Sequence, residues 1–256
     1  MKKLLKQKLN EFYTHPLGES IENISYTHLK NIPKPIQKYL KKCKIVGNEE
    51  IKRVRLKQEG KFKLKPNSDW KSYSAEQYIN TENYSFLWHA KIKLMPLIKV
   101  YVIDYFIKGE GRLIAKLFSL FKMVDESGKE IDQGELVRFL TESAWYPSFL
   151  CNEKIQWNII DENEIEIILD YKDQRVSGKI NFNKEGYIEE FTAKRFYTSG
   201  DTQELEKMSG YLYNYKEMAG IIIPTKFKVC WHLEEGDYYY IKAEITEIEF
   251  NNPNRY

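Results

Sequence analysis

The sequence predicts a mainly β protein of α+β class. It would form one large curved antiparallel sheet or half-barrel of roughly eleven strands, with one central packing helix and a short N-terminal helical segment. Three observations carry this. From residue 51 onward apolar and charged residues alternate with a period of two, the pattern of a strand with one wet face. Turn-like separators such as "DEN", "KD" and "NKEG" divide the strand-like runs at hairpin spacing. One stretch, "IDQGELVRFLTESAWYP" at 131–147, breaks the period and reads as a helix. So many strands in series must curl, split or close to manage their edges. A closed barrel and a two-layer sandwich are the other ways to do so.

The elements follow in order. Residues 1–46 form a helical segment expected to pack on a single sheet domain spanning 47–256. In "MKKLLKQKLNEFY", Leu4, Leu5, Leu9 and Phe12 share one face of a short basic helix, suited to packing on the domain or to touching a membrane surface. "NIPKPIQKYLKKC" is a short helix presenting Ile36, Tyr39 and Leu40, with Pro35 in its first turn. "VRLKQEGKFKL" is the clearest strand, with Val54, Leu56, Phe62 and Leu64 inward. Gln58 interrupts that face and needs a partner or a wet cavity. "FLWHAKIKL" turns Phe86, Trp88, Ala90, Ile92 and Leu94 inward and His89 outward. The hairpin "IKVYVIDYFIKGEGRLIAKLF" is apolar on both faces, so a cover is expected on both. The helix follows near 133–145, with Asp132 as its N-cap and Pro147 as its stop. Seven further strand-like runs complete the chain.

Composition excludes several classes. With 40 basic and 37 acidic residues the net charge is +3, too balanced for a nucleic-acid partner. Three well-separated cysteines, Cys43, Cys151 and Cys230, make no disulfide framework and point to reduced thiols in a cytoplasm. No P-loop, GxGxxG, GxSxG or Ser-His-Asp pattern is present, so no cofactor is predicted. Cys230 and His232 share a strand face, but they fall with Lys226 and Lys228 on the wet side. His15, His28 and His89 offer no third ligand, so no metal site is predicted.

Polar residues on otherwise apolar faces are the candidate site. In the helix, Leu136, Val137, Phe139, Leu140 and Ala144 make an apolar arc, and Glu135, Arg138, Thr141 and Glu142 make the opposite side. Arg138 stands three residues after Glu135 and four before Glu142, the spacings of helix ion pairs. The stripe is either a solvated surface or the wall of a cavity inside the sheet. An adjacent arginine holds carboxylates ionised, which suits binding better than proton transfer. Asp104, Arg195 (on a face with Phe191 and Ala193) and Glu76 (with Trp70 and Tyr78) also read as inward, and a buried charge persists only when paired. Trp88, Trp145 and Trp231 would supply an apolar wall.

The serial order of "PKPIQKYL", "RVRLKQEGKFKL", "AEQYI", "FLWHAKIKLMP", "GEGRLIAKL", "GELVRFLTESAWYP", "FTAKRFY" and "GIIIPTKFKVCWHLEEGDYYYIKAEITEIEF" resembles an uncharacterised bacterial family, over most of residues 33–250. The family has no assigned activity and brings no catalytic residues. Many of its members carry an N-terminal membrane segment, from which this sequence departs. At fold level the resemblance implies a half-barrel similar to the bacterial lipoprotein-localisation factors, which hold acyl chains.

The sequence thus predicts non-enzymatic binding of a lipid-like or other apolar small molecule in the concave face of the sheet. The alternatives are a structural or protein-interaction module, and an enzyme using Glu135 or Glu76 with Arg138 and a nearby Tyr. Oligomeric state is not legible.

Overall fold

The computed structural model describes residues 1–14, 21–200 and 202–256. His15 lies outside the described residues. The described residues build one open sheet of thirteen antiparallel strands, in the order β6-β5-β4-β3-β2-β1-β13-β12-β11-β10-β9-β8-β7. The first meander comprises β1 (Arg53–Phe62), β2 (Lys71–Asn80), β3 (Ser85–Met95), β4 (Ile98–Ile107), β5 (Glu110–Leu117) and β6 (Phe121–Ser127). The second comprises β7 (Ile155–Ile159), β8 (Glu164–Tyr171), β9 (Gln174–Phe182), β10 (Ile188–Ser199), β11 (Thr202–Met218), β12 (Ile221–Leu233) and β13 (Gly236–Phe250). Beyond the eleven runs legible in the sequence stand β2 and β6. Pairing of β13 with β1 joins the two meanders, leaving β6 and β7 as the two edges. The sheet is curved but not closed into a barrel.

Since β6 and β7 lie at opposite edges, the chain between them must cross the trough. It does so as α3 (Lys129–Thr141), followed by 3₁₀ turns at Glu142–Trp145 and Pro147–Cys151. The α-helix therefore starts and ends about four residues earlier than the spacing predicts. Its N-cap is Gly128, at φ 121°, and not Asp132. The Asp132 carboxylate instead accepts the backbone N–H of Gly111 at 2.6 Å, which ties the helix start to β5. That tertiary bond displaces the local capping pattern.

Register shifts at Lys57/Gln58 and Val229/Cys230 bend the central strands. Gly60 allows the close approach of β13. A Cβ there would meet the Lys242 carbonyl oxygen at 2.2 Å and the Ala243 Cβ at 2.6 Å.

The trough is filled at one end and open at the other. Phe139, Tyr146, Phe149 and Tyr84 interlock at the filled end, edge-on except for the tilted Phe139–Tyr146 pair, and the Tyr146 hydroxyl donates to the Phe139 carbonyl. Burying a side chain the size of Phe139 contributes about 1.5–3 kcal/mol. The helix α2 (Lys34–Lys42) adds Ile36, Tyr39 and Leu40, all fully buried, to the same core. On the convex side α1 (Lys2–Phe12) covers Tyr78, Leu87, Ile103, Tyr105 and Ile107 with Phe12, Leu4, Leu5 and Leu9. This is the second cover that the doubly apolar β4–β5 hairpin demanded. Among the described residues, no helix is long and apolar enough to cross a membrane.

Candidate ligand cavity

Between the charged side of α3 and the open end of the sheet lies a cavity of about 400 Å³, within the range of small-molecule sites. Phe62, Ile92, Val100, Val102, Leu113, Leu212, Phe227, Val229 and the three tryptophans Trp88, Trp145 and Trp231 wall it. Alternation places the strand residues there, since every second residue of a strand faces the trough; Trp145 comes from the 3₁₀ turn after α3.

The floor is polar, and α3 builds it. Residues three and four apart on a helix share a face, which aligns Glu135, Arg138 and Glu142. That face is not solvated: Glu135 is 2% exposed, and Arg138 and Glu142 are nearly buried. The reason is that α3 packs on β10 and β9 with one arc and on β5 and β4 with another, which turns this face into the trough. Arg138 holds Glu142 (Nε–Oε1, 2.8 Å), the helix ion pair that the spacing predicts. It also reaches Asp104 on β4 (Nη1–Oδ2, 2.6 Å) and lies over the Phe86 and Trp88 rings. Glu135 does not pair with Arg138. It takes Arg195 of β10, with 2.5 Å between Oε1 and Nη2. Gly134 makes this pair feasible, because a Cβ there would stand 2.9 Å from Arg195 Nε.

Gln58 joins the floor through a relay. Tyr73 donates to Gln58 (2.7 Å), Gln58 to Gln77 (3.3 Å) and Gln77 to Glu142 (2.5 Å). The inward glutamine thus has both the partners and the cavity that its position required. Among the described residues, three buried polar atoms around the floor have no protein partner: Trp88 Nε1, Asp104 Oδ1 and Glu135 Oε2.

Burial dominates the electrostatics. It pushes the Glu135 carboxyl up to about 7, against the opposing pull of Arg195. It also raises Asp104, against Arg138. For Arg138, burial alone would weaken proton binding, but Glu142, Asp104 and Glu135 more than offset this and raise it. The arginines therefore do not keep Glu135 in the ordinary carboxylate range, contrary to the expectation from spacing alone.

Most of the candidate residues meet here: Gln58, Trp88, Asp104, Glu135, Arg138, Thr141, Glu142, Trp145, Arg195 and Trp231. Glu76 and Tyr78 do not. The inward set of β2 is Tyr73, Ala75 and Gln77, so Glu76 and Tyr78 stand on the convex face. There Tyr78 packs under α1, and Glu76 lines a shallow groove with Lys57, His89 and Lys91. Of the apolar neighbours that made Glu76 read as inward, Tyr78 belongs to the α1-covered face, and Trp70 lies under Lys63 and Lys242. Residues missed by sequence reasoning include Gln77, on the inward face of a strand absent from the pattern.

A second polar cluster lies on the convex face of β11–β13. Asp237 Oδ1 meets His232 Nδ1 at 2.7 Å, and His232 Nε2 meets Ser209 Oγ at 2.9 Å. This has the connectivity of a Ser-His-Asp triad, formed by strand pairing and so invisible as a motif. Ser209 is fully buried, which keeps substrate from its oxygen. Asp237 also supplies the third potential ligand beside Cys230 and His232, the three ligand atoms lying within 4.8 Å of one another. Cys230 is fully buried rather than wet, at the register shift between Val229 and Cys230.

Fold and site together define a class: an open, curved-sheet protein with a walled interior cavity and a charged floor. Within that class, the model of the family of unknown function DUF6920 matches residues 30–250, and the chain belongs to that family. Among solved structures, the fold is similar to a LolA superfamily protein from Nitrosomonas europaea (10% identity, TM-score 0.47, covering 85% of this chain and 94% of that one). It is also similar to a DUF1329 family protein from Desulfovibrio piger (10% identity, TM-score 0.44, covering 80% and 88%). No curated protein matches the sequence.

Proposed function

We propose that this protein binds a lipid-like or other apolar small molecule in the concave cavity, as a binding protein rather than an enzyme. The observation that carries this reading is the cavity itself, apolar and aromatic on its walls with a few polar groups converging at its floor. A cavity of that size in an otherwise packed interior costs stability, and an occupant would offset the cost. The free thiols of Cys43, Cys151 and Cys230 support a reducing, cytoplasmic setting.

Native mass spectrometry of freshly purified protein, followed by organic extraction, tests the reading. An apolar molecule released on extraction supports it and identifies the ligand class. Protein that carries nothing and also fails to take up a neutral apolar dye sinks it.

One observation favours a second reading, an enzyme. Glu135, pushed up to about 7, is in the range where a carboxyl transfers protons at neutral pH. Glu76 has no part in that reading, being on the opposite face. Turnover of an extracted ligand by wild-type protein, lost in Glu135→Gln with binding retained, would favour it.

A further inference from the structure

We propose that the cavity selects apolar molecules whose polar end is a protonated amine over those ending in a carboxylate. This rests on the reading of the cavity as an apolar-ligand site. Four carboxyl side chains line it, Asp104, Glu126, Glu135 and Glu142, against two guanidinium groups, Arg138 and Arg195. Both guanidinium groups already pair with carboxylates of the floor. Asp104 Oδ1 and Glu135 Oε2 are buried without a protein donor, on residues 6% and 2% exposed. A carboxylate oxygen left in that state is costly. An ammonium brings three N–H donors and no acceptor, and its charge would favour the ionised form of Asp104 and Glu135 against the burial that pushes both carboxyls up. A ligand carboxylate would add like charge beside a floor already rich in acid, in a medium that screens poorly. Asp104 stands opposite Trp88 in the β3–β4 register and shares Arg138 with Glu142, so these groups form one floor.

The test is displacement of the neutral apolar dye N-phenyl-1-naphthylamine by dodecylamine and by dodecanoate, on the full chain. The expected result is amine binding tighter by at least about tenfold, a difference of about 1.4 kcal/mol. Glu135→Gln, or Asp104→Asn where the first fails to fold, should narrow that ratio by weakening the amine alone. Dodecanoate binding as tightly as the amine overturns the amine selectivity and leaves the apolar-ligand reading standing. Failure of dye, amine and carboxylate alike removes both.

A different observation carries a second proposal. We infer that the turns β3–β4 and β5–β6 form a tip that docks on an anionic lipid surface. Leu97 is 88% exposed, Leu120 74%, Phe121 66% and Met95 60%. Large apolar side chains grouped on adjacent turns mark a contact surface rather than ordinary exposure. The turns are tied together, the Phe118 N–H donating to the Lys99 carbonyl at 3.1 Å. Residues 91–99 and 116–123 carry five lysines and no acidic residue. Of these lysines, among the described residues, only Lys122 pairs, with Asp125 at 3.6 Å. Apolar tips in a basic ring match an anionic bilayer. Leu64 and Met123 are exposed and also line the cavity, which puts its mouth at the tip.

Flotation with phosphatidylcholine vesicles, with and without phosphatidylglycerol, tests this. Wild-type protein should float with the anionic vesicles and be released by salt, and Leu97→Glu with Phe121→Glu should abolish flotation without changing the melting temperature. Absence of flotation by wild-type protein, or flotation unchanged by the two substitutions, overturns it.

Discussion

Arg138 on α3 and Asp104 on β4 are bonded at 2.6 Å inside the trough, and this pair pins the helix across the concave face. Both side chains are nearly buried, so neither charge has water to fall back on. Removing one partner leaves the other uncompensated. Arg138→Met should destabilise the fold by about 3–5 kcal/mol. The double variant Arg138→Met with Asp104→Leu should lose less than the sum of the two single losses. Chemical denaturation of the four proteins in a double-mutant cycle measures the coupling.

Gly134 offers a test in which two principles give opposite signs. Glycine to alanine in a helix interior normally stabilises by about 1 kcal/mol. Here the new Cβ would press on Arg195 Nε at 2.9 Å, and that arginine is held by Glu135. Overpacking costs about 1–3 kcal/mol. Gly134→Ala should therefore lower the melting temperature, and a rise would show that Arg195 is free to move.

Gly210 gives the converse case. It lines the cavity, and nothing lies within 4 Å of a Cβ built on it. Gly210→Leu should fill the cavity, abolish uptake of an apolar dye, and leave the melting temperature equal or higher. Dye titration beside a thermal melt reads both effects.

Glu135 predicts a pH dependence with a definite sign. Its folded value of about 7 stands above the ordinary 4.5. Below the ordinary value both states hold the proton. As pH rises from there to about 7, the unfolded chain releases it first, so the folded state loses relative stability across that window and levels off above it. Denaturant midpoints measured from about pH 3.5 to about pH 8, a span bracketing those values by about one unit, should fall in wild-type relative to Glu135→Gln. Parallel profiles would place the titration elsewhere.

Much of the architecture was legible in residues. Alternation in "VRLKQEGKFKL" and "FLWHAKIKL" marked their inward faces correctly, Gln58 and Trp88 included. The doubly apolar "VYVIDYFI" announced a cover on both sides, which α1 and the trough supply. The same feature hid Glu76. Where both faces of a sheet are covered, apolar neighbours no longer say which face is concave, and Glu76 falls on the α1 side. The Asp132 pattern misled for a related reason, since a tertiary donor, Gly111 N–H, outcompeted the local cap.

By itself the sequence determined eleven of the thirteen strands, the existence of the lone crossing helix and the Arg138–Glu142 pair. These depend on periods of two and 3.6 residues and on contacts four residues apart. Only the tertiary structure decided that the charged side of that helix is buried and that Glu135 belongs to Arg195, sixty residues away. It also decided that two carboxyl oxygens on residues lining the cavity, Asp104 Oδ1 and Glu135 Oε2, are buried without a protein donor among the described residues. Those outcomes depend on how far a thirteen-strand sheet curls before its two edges are bridged, a property of the whole sheet that no local period encodes.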